Sequence, residues 1–259
     1  MTAVVLSDIA MYLDTLLRVR ETPDYPPALN GVQVQHRGPV LKVAAAVDTS
    51  MRTIRGAVAE GANLLLVHHG IFWGGLQALA GPLYSKTRLL FEHDVALYSA
   101  HLPLDVHEAY GNSMLLAFAL GLKPSAGFAR FETVDCGVRG EADVATEELL
   151  ERVRVFSRSL GGTALSSALA PARRTRRWAI CSGAGASADT IREAVSFGVD
   201  TLVVGEGPHW TAVEAEERGL VIIYAGHYAT ETLGVRALAE HVSVKFDLPW
   251  VFVPAPTGL

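Results

Sequence analysis

The chain has 259 residues, half of them hydrophobic, and carries a formal net charge of −5. That length fits one large domain or two small ones, and the hydrophobic content is enough for a buried core, which excludes a disordered chain. The acidic balance argues against a general nucleic-acid binder, which would need a basic surface. Because no apolar run reaches the roughly 18 residues of a membrane span and no signal-peptide pattern opens the chain, we expect a soluble protein without membrane contact. The two cysteines, Cys136 and Cys181, lie far apart and in no CxxC spacing, which suits a reducing cytoplasm.

The first half of the chain predicts a helix followed by alternating strands and helices. Residues 7–20 have the spacing of an amphipathic helix, with Ser7 as a candidate N-cap, and a proline-rich stretch follows. Strands are predicted at 40–47, 62–67 and 95–99, and helices at 51–60, 87–93 and 111–120. Short, wholly apolar strands of this kind are typical of a mostly parallel sheet with both faces covered.

The second half repeats part of the first. The segment IRGAVAEGANLLLVHHG at 54–70 matches IREAVSFGVDTLVVGEG at 191–207, and YSAHLPLD at 98–105 matches YAGHYATE at 224–231. We therefore predict an α/β fold of two similar interlocked lobes related by an internal repeat, at 1–125 and 126–259. We expect a metal site between the lobes at the carboxyl ends of strands, where open α/β sheets bind ligands.

Histidines and acidic residues follow four apolar strands, at the positions where functional loops begin. They are His68 and His69, then His101, Asp105 and His107, then Glu206 and His209, and finally His227 and Glu231. A single histidine at such a position is usually an ordinary hydrogen-bonded residue. The adjacent histidine pair together with two aligned His-x3-acid units favours a metal site instead, and imidazole with carboxylate suits zinc, iron, manganese or nickel.

Two ions can share such a set of ligands. A carboxylate offers two oxygens, so Asp105 or Glu231 can bridge two ions. Two ions about 3.5–4 Å apart can share one hydroxide, which is the nucleophile of many hydrolases.

Several motifs extend the pattern over nearly the whole chain. They are NGVQV at 30–34, LLLVHHGIFW at 64–73, AHLPLDVH with GNSMLLA at 100–117, and GHYATETLGV at 226–235. Together they resemble the dinuclear-metal, NGG-interacting-factor-three-like family, whose members are often called GTP cyclohydrolase I type 2 homologues. The chain departs from the family's usual Asn-Asn pair at Asn112-Ser113, and it is too short between its halves for the inserted middle domain that some members carry.

The resemblance implies a ligand set and an assembly. The family's metal-binding positions correspond to His68, His69, Asp105, His227 and Glu231, which are expected to hold two divalent ions of zinc, iron or manganese per chain. The resemblance also implies a homo-hexamer, a toroid whose sites face an internal cavity.

Two functions are compatible with such a centre. The first is a GTP cyclohydrolase-like, metal-dependent hydrolase that acts on a nucleotide or a related heterocycle. In such an enzyme, His101 is a candidate for holding a bound water or transferring a proton. The alternative is a non-catalytic metal-binding ring that stores or delivers metal or scaffolds partner proteins. The sequence slightly favours the enzyme, because five ligands shared by two ions leave coordination positions open.

Three further segments have ordinary structural interpretations. The basic run at 173–177 is expected to form an exposed loop, with a phosphate or partner contact as the alternative. The SGAGAS turn at 182–187 is expected to be a common strand-to-helix turn. The apolar run Ile71, Phe72 and Trp73 is expected to pack in the core or in an interface, although an aromatic wall beside a metal site can also hold a purine ring.

Overall fold

The computed structural model describes residues 3–259, and the chain divides into two compact units. The first unit takes the chain up to His107 together with Gly234–Ala255, and the second takes Glu108–Leu233 together with Pro256–Leu259. Each unit is built from one sheet and its helices, which confirms the predicted α/β class. Among residues 3–259, no helix combines the length and the apolar character that a membrane crossing requires.

The sheet of the first unit is mostly parallel. Numbered along the chain, its strands within the described residues are β1 (Gly31–Val34), β2 (Val43–Asp48), β3 (Leu64–His69), β4 (Ala96–Ser99) and β11 (Trp250–Phe252). Their spatial order is β1-β4-β3-β2-β11, and β1 alone in this sheet pairs antiparallel. The helices of this unit are α1 (Leu6–Leu16), a 3₁₀ turn (Pro26–Ala28), α2 (Met51–Ala59), α3 (Gly81–Glu92) and α4 (Leu102–Asp105).

The second unit has a mixed sheet. Its strands in the described residues are β5 (Ala126–Phe131), β6 (Val134–Ala145), β7 (Leu165–Ser166), β8 (Arg174–Cys181), β9 (Thr201–Val204) and β10 (Val221–Tyr224). They are ordered β5-β6-β8-β9-β10-β7, and β8, β9 and β10 run parallel. Its helices are α5 (Asn112–Ala119), α6 (Thr146–Ser159), α7 (Ala188–Ser196) and α8 (Trp210–Glu217), and α9 (His227–Phe246) begins here and continues into the first unit.

The apolar runs of the sequence become strands that are buried on both faces. Residues 43–47 of β2 and 64–68 of β3 are buried without interruption, as expected for parallel strands covered by helices.

Helices begin soon after strands because polar side chains cap them. Ser50 and Thr53 form a reciprocal capping box at the start of α2, and the Ser187 side chain accepts from Thr190 N at the start of α7.

Several predicted boundaries differ from the structure. The first helix starts at Leu6 after Val5, which makes no side-chain cap, so Ser7 is not the N-cap. The strand predicted at 62–67 continues through His69. The helix predicted to start at residue 87 already begins at Gly81, where a proline occupies the first turn and is compatible with helix initiation.

The basic run is exposed at Arg174, Arg176 and Arg177, as predicted, but it forms the start of β8 rather than a loop. The Arg174 guanidinium donates to a carboxylate oxygen of Asp143. Arg173 Nη2 donates to the carbonyl oxygens of Asp200 and Gly219, at 2.9 and 2.6 Å. These arginines contact neighbouring chain segments of the second unit, so their charge has a structural use.

The two matched segments of the sequence fall on similar local structures. Residues 54–70 cover most of α2 and all of β3, and residues 191–207 cover most of α7 and all of β9. Each is a helix followed by a buried parallel strand. The internal repeat and the boundary at residue 125 stay predictions.

Candidate metal centre

Three histidines of the first unit form a cluster at the carboxyl ends of parallel strands. His68 and His69 end β3, and His101 follows β4 at the N-cap position of α4. Each offers a ring nitrogen, and these three atoms lie within 4.8 Å of one another. The ring centroids are 4.8 Å apart for His68 and His69, and 4.9 and 5.7 Å from these to His101. We call these three residues the histidine cluster.

Neighbouring strands orient the two adjacent histidines. Nδ1 of the fully buried His68 donates to the carbonyl oxygen of Ala100 at 2.9 Å. Nδ1 of His69 donates to Oδ1 of Asp48, the last residue of β2, at 2.8 Å. Because both acceptors hold the proton on Nδ1, Nε2 of each ring is the unprotonated nitrogen and points away from that acceptor, which is the arrangement that metal-ligating histidines adopt.

His101 is oriented by a distant segment of the first unit. Its Nδ1 donates to Asp24 Oδ1 at 2.8 Å, and its main-chain nitrogen donates to Asn30 Oδ1 at 2.7 Å. The other carboxylate oxygen of Asp24 accepts from Asn30 Nδ2 and from Leu102 N. Burial alone would raise the pKa of Asp24, but its hydrogen bonds, above all the one with His101, outweigh burial and lower that pKa. Asp24 is therefore ionised and fixes the ring of His101 as firmly as the rings of its neighbours.

A carboxylate joins the cluster through α4. Asp105 lies one helical turn after His101, and its Oδ2 is 3.4 Å from Nε2 of His68. Its side chain is only 7% exposed. The short helix, rather than a strand end, therefore brings this predicted ligand to the predicted histidines.

The second unit carries a His–Glu pair on one helix. His227 comes shortly after β10, as predicted, and is the first residue of α9. Glu231 lies one helical turn later. Nε2 of His227 is 3.0 Å from Oε2 of Glu231, and its Nδ1 is 2.8 Å from Oε1 of Glu206, beyond β9. Burial lowers the pKa of His227, but hydrogen bonds and charge from the two glutamates outweigh it and raise the pKa to about 9. This position thus favours a positive charge.

The SGAGAS turn approaches this pair closely. Gly183 has a φ of +61°, and a Cβ placed on it would lie 2.1 Å from Oε1 of Glu231 and 3.4 Å from Nε2 of His227. Its nitrogen donates to Oγ1 of Thr230 at 3.0 Å. The turn that was expected to be an ordinary connection therefore shapes the space around Glu231.

Three of these contributors were not predicted from the sequence. Asp48 and Asp24 were not singled out, and Glu206 was noted at a strand end without a role. Asp48 had a readable signal, because it also follows an apolar strand. His209, also noted, lies exposed beside α8.

The donor groups fit a divalent transition metal. Imidazole nitrogens with a fixed Nδ1 proton and nearly buried carboxylates are the ligands that zinc, iron and manganese accept. In the first unit these groups are the histidine cluster and Asp105, and in the second unit they are His227 and Glu231.

Comparison with known proteins gives a family. A family model described as Duf34/NIF3 (NGG1p interacting factor 3) matches residues 4–257. The chain belongs to the Duf34/NIF3 family. Its relatives named "GTP cyclohydrolase 1 type 2 homolog" include one from Deinococcus radiodurans, 38% identical over 97% of this chain and 94% of the relative, and one from Halobacterium salinarum, 40% identical over 98% and 99%. A solved structure titled "protein ybgI, unknown function" matches with a TM-score of 0.87 and 32% identity over 98% of this chain and 99% of that one.

We predict that Gly183→Ala lowers metal content in this Duf34/NIF3 chain. The new methyl group would displace the Glu231 carboxylate, and alanine at positive φ also costs about 1–2 kcal/mol of stability. Gly219→Ala is the matched control, because Gly219 has a φ of +68° and a Cβ added there would meet no atom of a non-neighbouring residue within 4 Å. We expect both variants to melt earlier and only Gly183→Ala to lose metal by elemental analysis. Equal metal content in the two would contradict the role of this turn.

We also predict that His68→Ala and Glu231→Ala reduce metal content while the chain still folds. Both side chains lie at the ends of the apolar elements, so their loss should affect the centre more than the sheet. Glu231→Gln keeps the shape of the side chain and tests the same role if truncation destabilises the fold. His36→Ala serves as a histidine control outside the cluster. Full metal occupancy in the Glu231 and His68 variants, with melting curves like the wild type, would refute the assignment.

Proposed function

We propose that this chain binds two divalent metal ions and is a metal-dependent hydrolase acting on a nucleotide or a related heterocycle. The proposed ligands are the five predicted residues His68, His69, Asp105, His227 and Glu231. The observation that carries the proposal is the fixed orientation of the imidazoles, whose Nδ1 atoms all donate to carbonyl or carboxylate oxygens.

The number of ligands supports two ions rather than one. A single tetrahedral ion takes four ligands, and a catalytic ion usually takes three protein ligands with one open position. Five protein ligands are more than one tetrahedral ion takes. Shared between two ions, they leave open coordination positions on both.

The chemistry of such a centre would be hydrolytic. Divalent ions supply Lewis acidity, which is the property that lets water act as a nucleophile at neutral pH. Around them, Asp24 holds the Nδ1 proton of His101, so that Nε2 of His101 keeps a lone pair that can accept a proton from water or substrate. His101 also lies within the histidine cluster, and its role as a proton acceptor competes with a role as a further ligand.

The relatives' names support the proposed substrate class. They are called GTP cyclohydrolase 1 type 2 homologues, and for this chain we propose a guanine nucleotide attacked at its imidazole-ring carbon.

The hydrolase proposal predicts that activity depends on the metal. We expect metal-loaded protein to turn over at least one member of a nucleotide panel, to lose that activity when a chelator removes the metal, and to regain it on reloading. Product analysis by chromatography would identify the bond that breaks. Failure of the fully loaded protein to turn over any nucleotide would favour the metal-binding ring that stores or delivers metal.

His101→Ala should reduce turnover more than metal content. Loss of general acid–base help is typically worth roughly 10²–10⁴-fold in rate. Parallel rate and metal measurements on this variant separate its two possible roles. Metal loss in step with activity would make His101 a ligand, and full activity would remove it from the mechanism.

We further propose that the chain forms a homo-hexamer. This proposal rests on the family resemblance, and closed symmetric rings are common among homo-oligomers. Light scattering at micromolar concentration should give six times the 27.7 kDa of one chain. A monomer mass under those conditions would refute it.

A further inference from the structure

Two aromatic side chains stand beside the histidine cluster in the first unit. The ring centroid of Trp73 lies 4.7 Å from His101 and 5.6 Å from His69, with its plane at 83° to both imidazoles. The ring of Tyr25 lies 6.5 Å from Trp73 and 6.2 Å from His101. We call Tyr25 and Trp73 the aromatic wall.

The side chains of the aromatic wall are more exposed to solvent than the neighbouring Ile71 and Phe72. In the apolar run after β3, Ile71 is buried and Phe72 packs against the core cluster of the first unit, so the expected core packing is confirmed for these two. Trp73 stays 36% exposed and Tyr25 50% exposed. Large rings left accessible beside converging polar groups are a feature of small-molecule sites.

Hydrogen bonds hold the main chain that carries the aromatic wall close to the cluster. Asp24 Oδ1 accepts from the main-chain nitrogen of Tyr25 at 2.7 Å and from Nδ1 of His101 at 2.8 Å. One carboxylate oxygen thus positions a residue of the wall and a residue of the cluster. The loop that carries the tryptophan is held by Gln33, whose Oε1 accepts from the nitrogen of Ile71 at 2.8 Å.

We infer that the aromatic wall binds the planar ring of a heteroaromatic substrate, a nucleobase, and so directs the attached reacting part to the histidine cluster. The planes of Tyr25 and Trp73 are tilted by 53°, so a ring stacked on one of them is inclined by the same angle to the other. Stacking is favourable for every base because each has a π face. This inference rests on the proposed function and adds the residues that select the substrate.

The test compares GMP with ribose 5-phosphate, which lacks the base, by equilibrium dialysis against metal-loaded protein. We expect Trp73→Ala to weaken GMP binding about 5- to 150-fold, the range that one base–aromatic stack provides, and to leave ribose 5-phosphate unchanged. Trp73→Phe should keep most of the affinity, and Tyr25→Ala should weaken GMP selectively as well. Phe91→Ala is the control, because Phe91 is a 64% exposed aromatic residue of α3 in the same unit.

Metal analysis and light scattering on each variant complete the test. The inference predicts that Trp73→Ala keeps the metal content and the mass of the wild type. A changed mass would show that Trp73 packs in an interface and would overturn the inference. Wild-type affinity for GMP in Trp73→Ala would overturn it as well. So would a wild-type protein that binds GMP no more tightly than ribose 5-phosphate. If instead Trp73→Ala weakens GMP but the wild type hydrolyses no nucleotide, the hydrolase proposal fails and the aromatic wall stands as a binding site.

Discussion

The position of one proton on each histidine ring is the constraint on which the candidate centre depends. An imidazole can donate from one nitrogen and accept a metal at the other only if its tautomer is fixed. His68 is fully buried, so an Nδ1 proton without an acceptor would cost about 1–3 kcal/mol. The carbonyl oxygen of Ala100 accepts this proton and removes that cost. Because a carbonyl can only accept, the proton must lie on Nδ1 of His68. The ring is thereby oriented by the fold itself.

The register of the first sheet places these acceptors. In the parallel ladder of β2 and β3, Asp48 is the direct partner of His69, which puts its carboxylate beside the imidazole that it holds. In the ladder of β3 and β4, Val67 pairs with Ser99, so the next residue, Ala100, reaches His68. A slip of one residue would move every side chain to the opposite face. The strand pairing that builds the core of the first unit therefore also places the two acceptors beside the histidines.

These relations explain how far the sequence could predict the site. The strands and the histidines were readable because each apolar run ends abruptly in polar residues. Asp48 was equally readable by that rule, although an aspartate shortly before Ser50 also resembles the start of a helix cap. Asp24 was not readable, because it lies in a proline-rich loop 77 residues before His101, and only the folded chain brings the two together. The spacing of His227 and Glu231 fits a helical turn as well as a strand exit, and in the structure both residues lie in the first turns of α9.

The electrostatics of the second unit bear on what its His–Glu pair can hold. Glu206 and Glu231 flank His227 and raise its pKa to about 9, so near neutral pH the ring binds a proton in the absence of any other cation. A field that retains a proton against the cost of burial also favours a metal cation at the same nitrogen. Glu206 keeps its hydrogen bond to Nδ1 in either case, and Glu231 is already one helical turn away and nearly buried. Exchange of the proton for a metal ion would therefore need no change in α9, so the pair is organised for a cation before one binds.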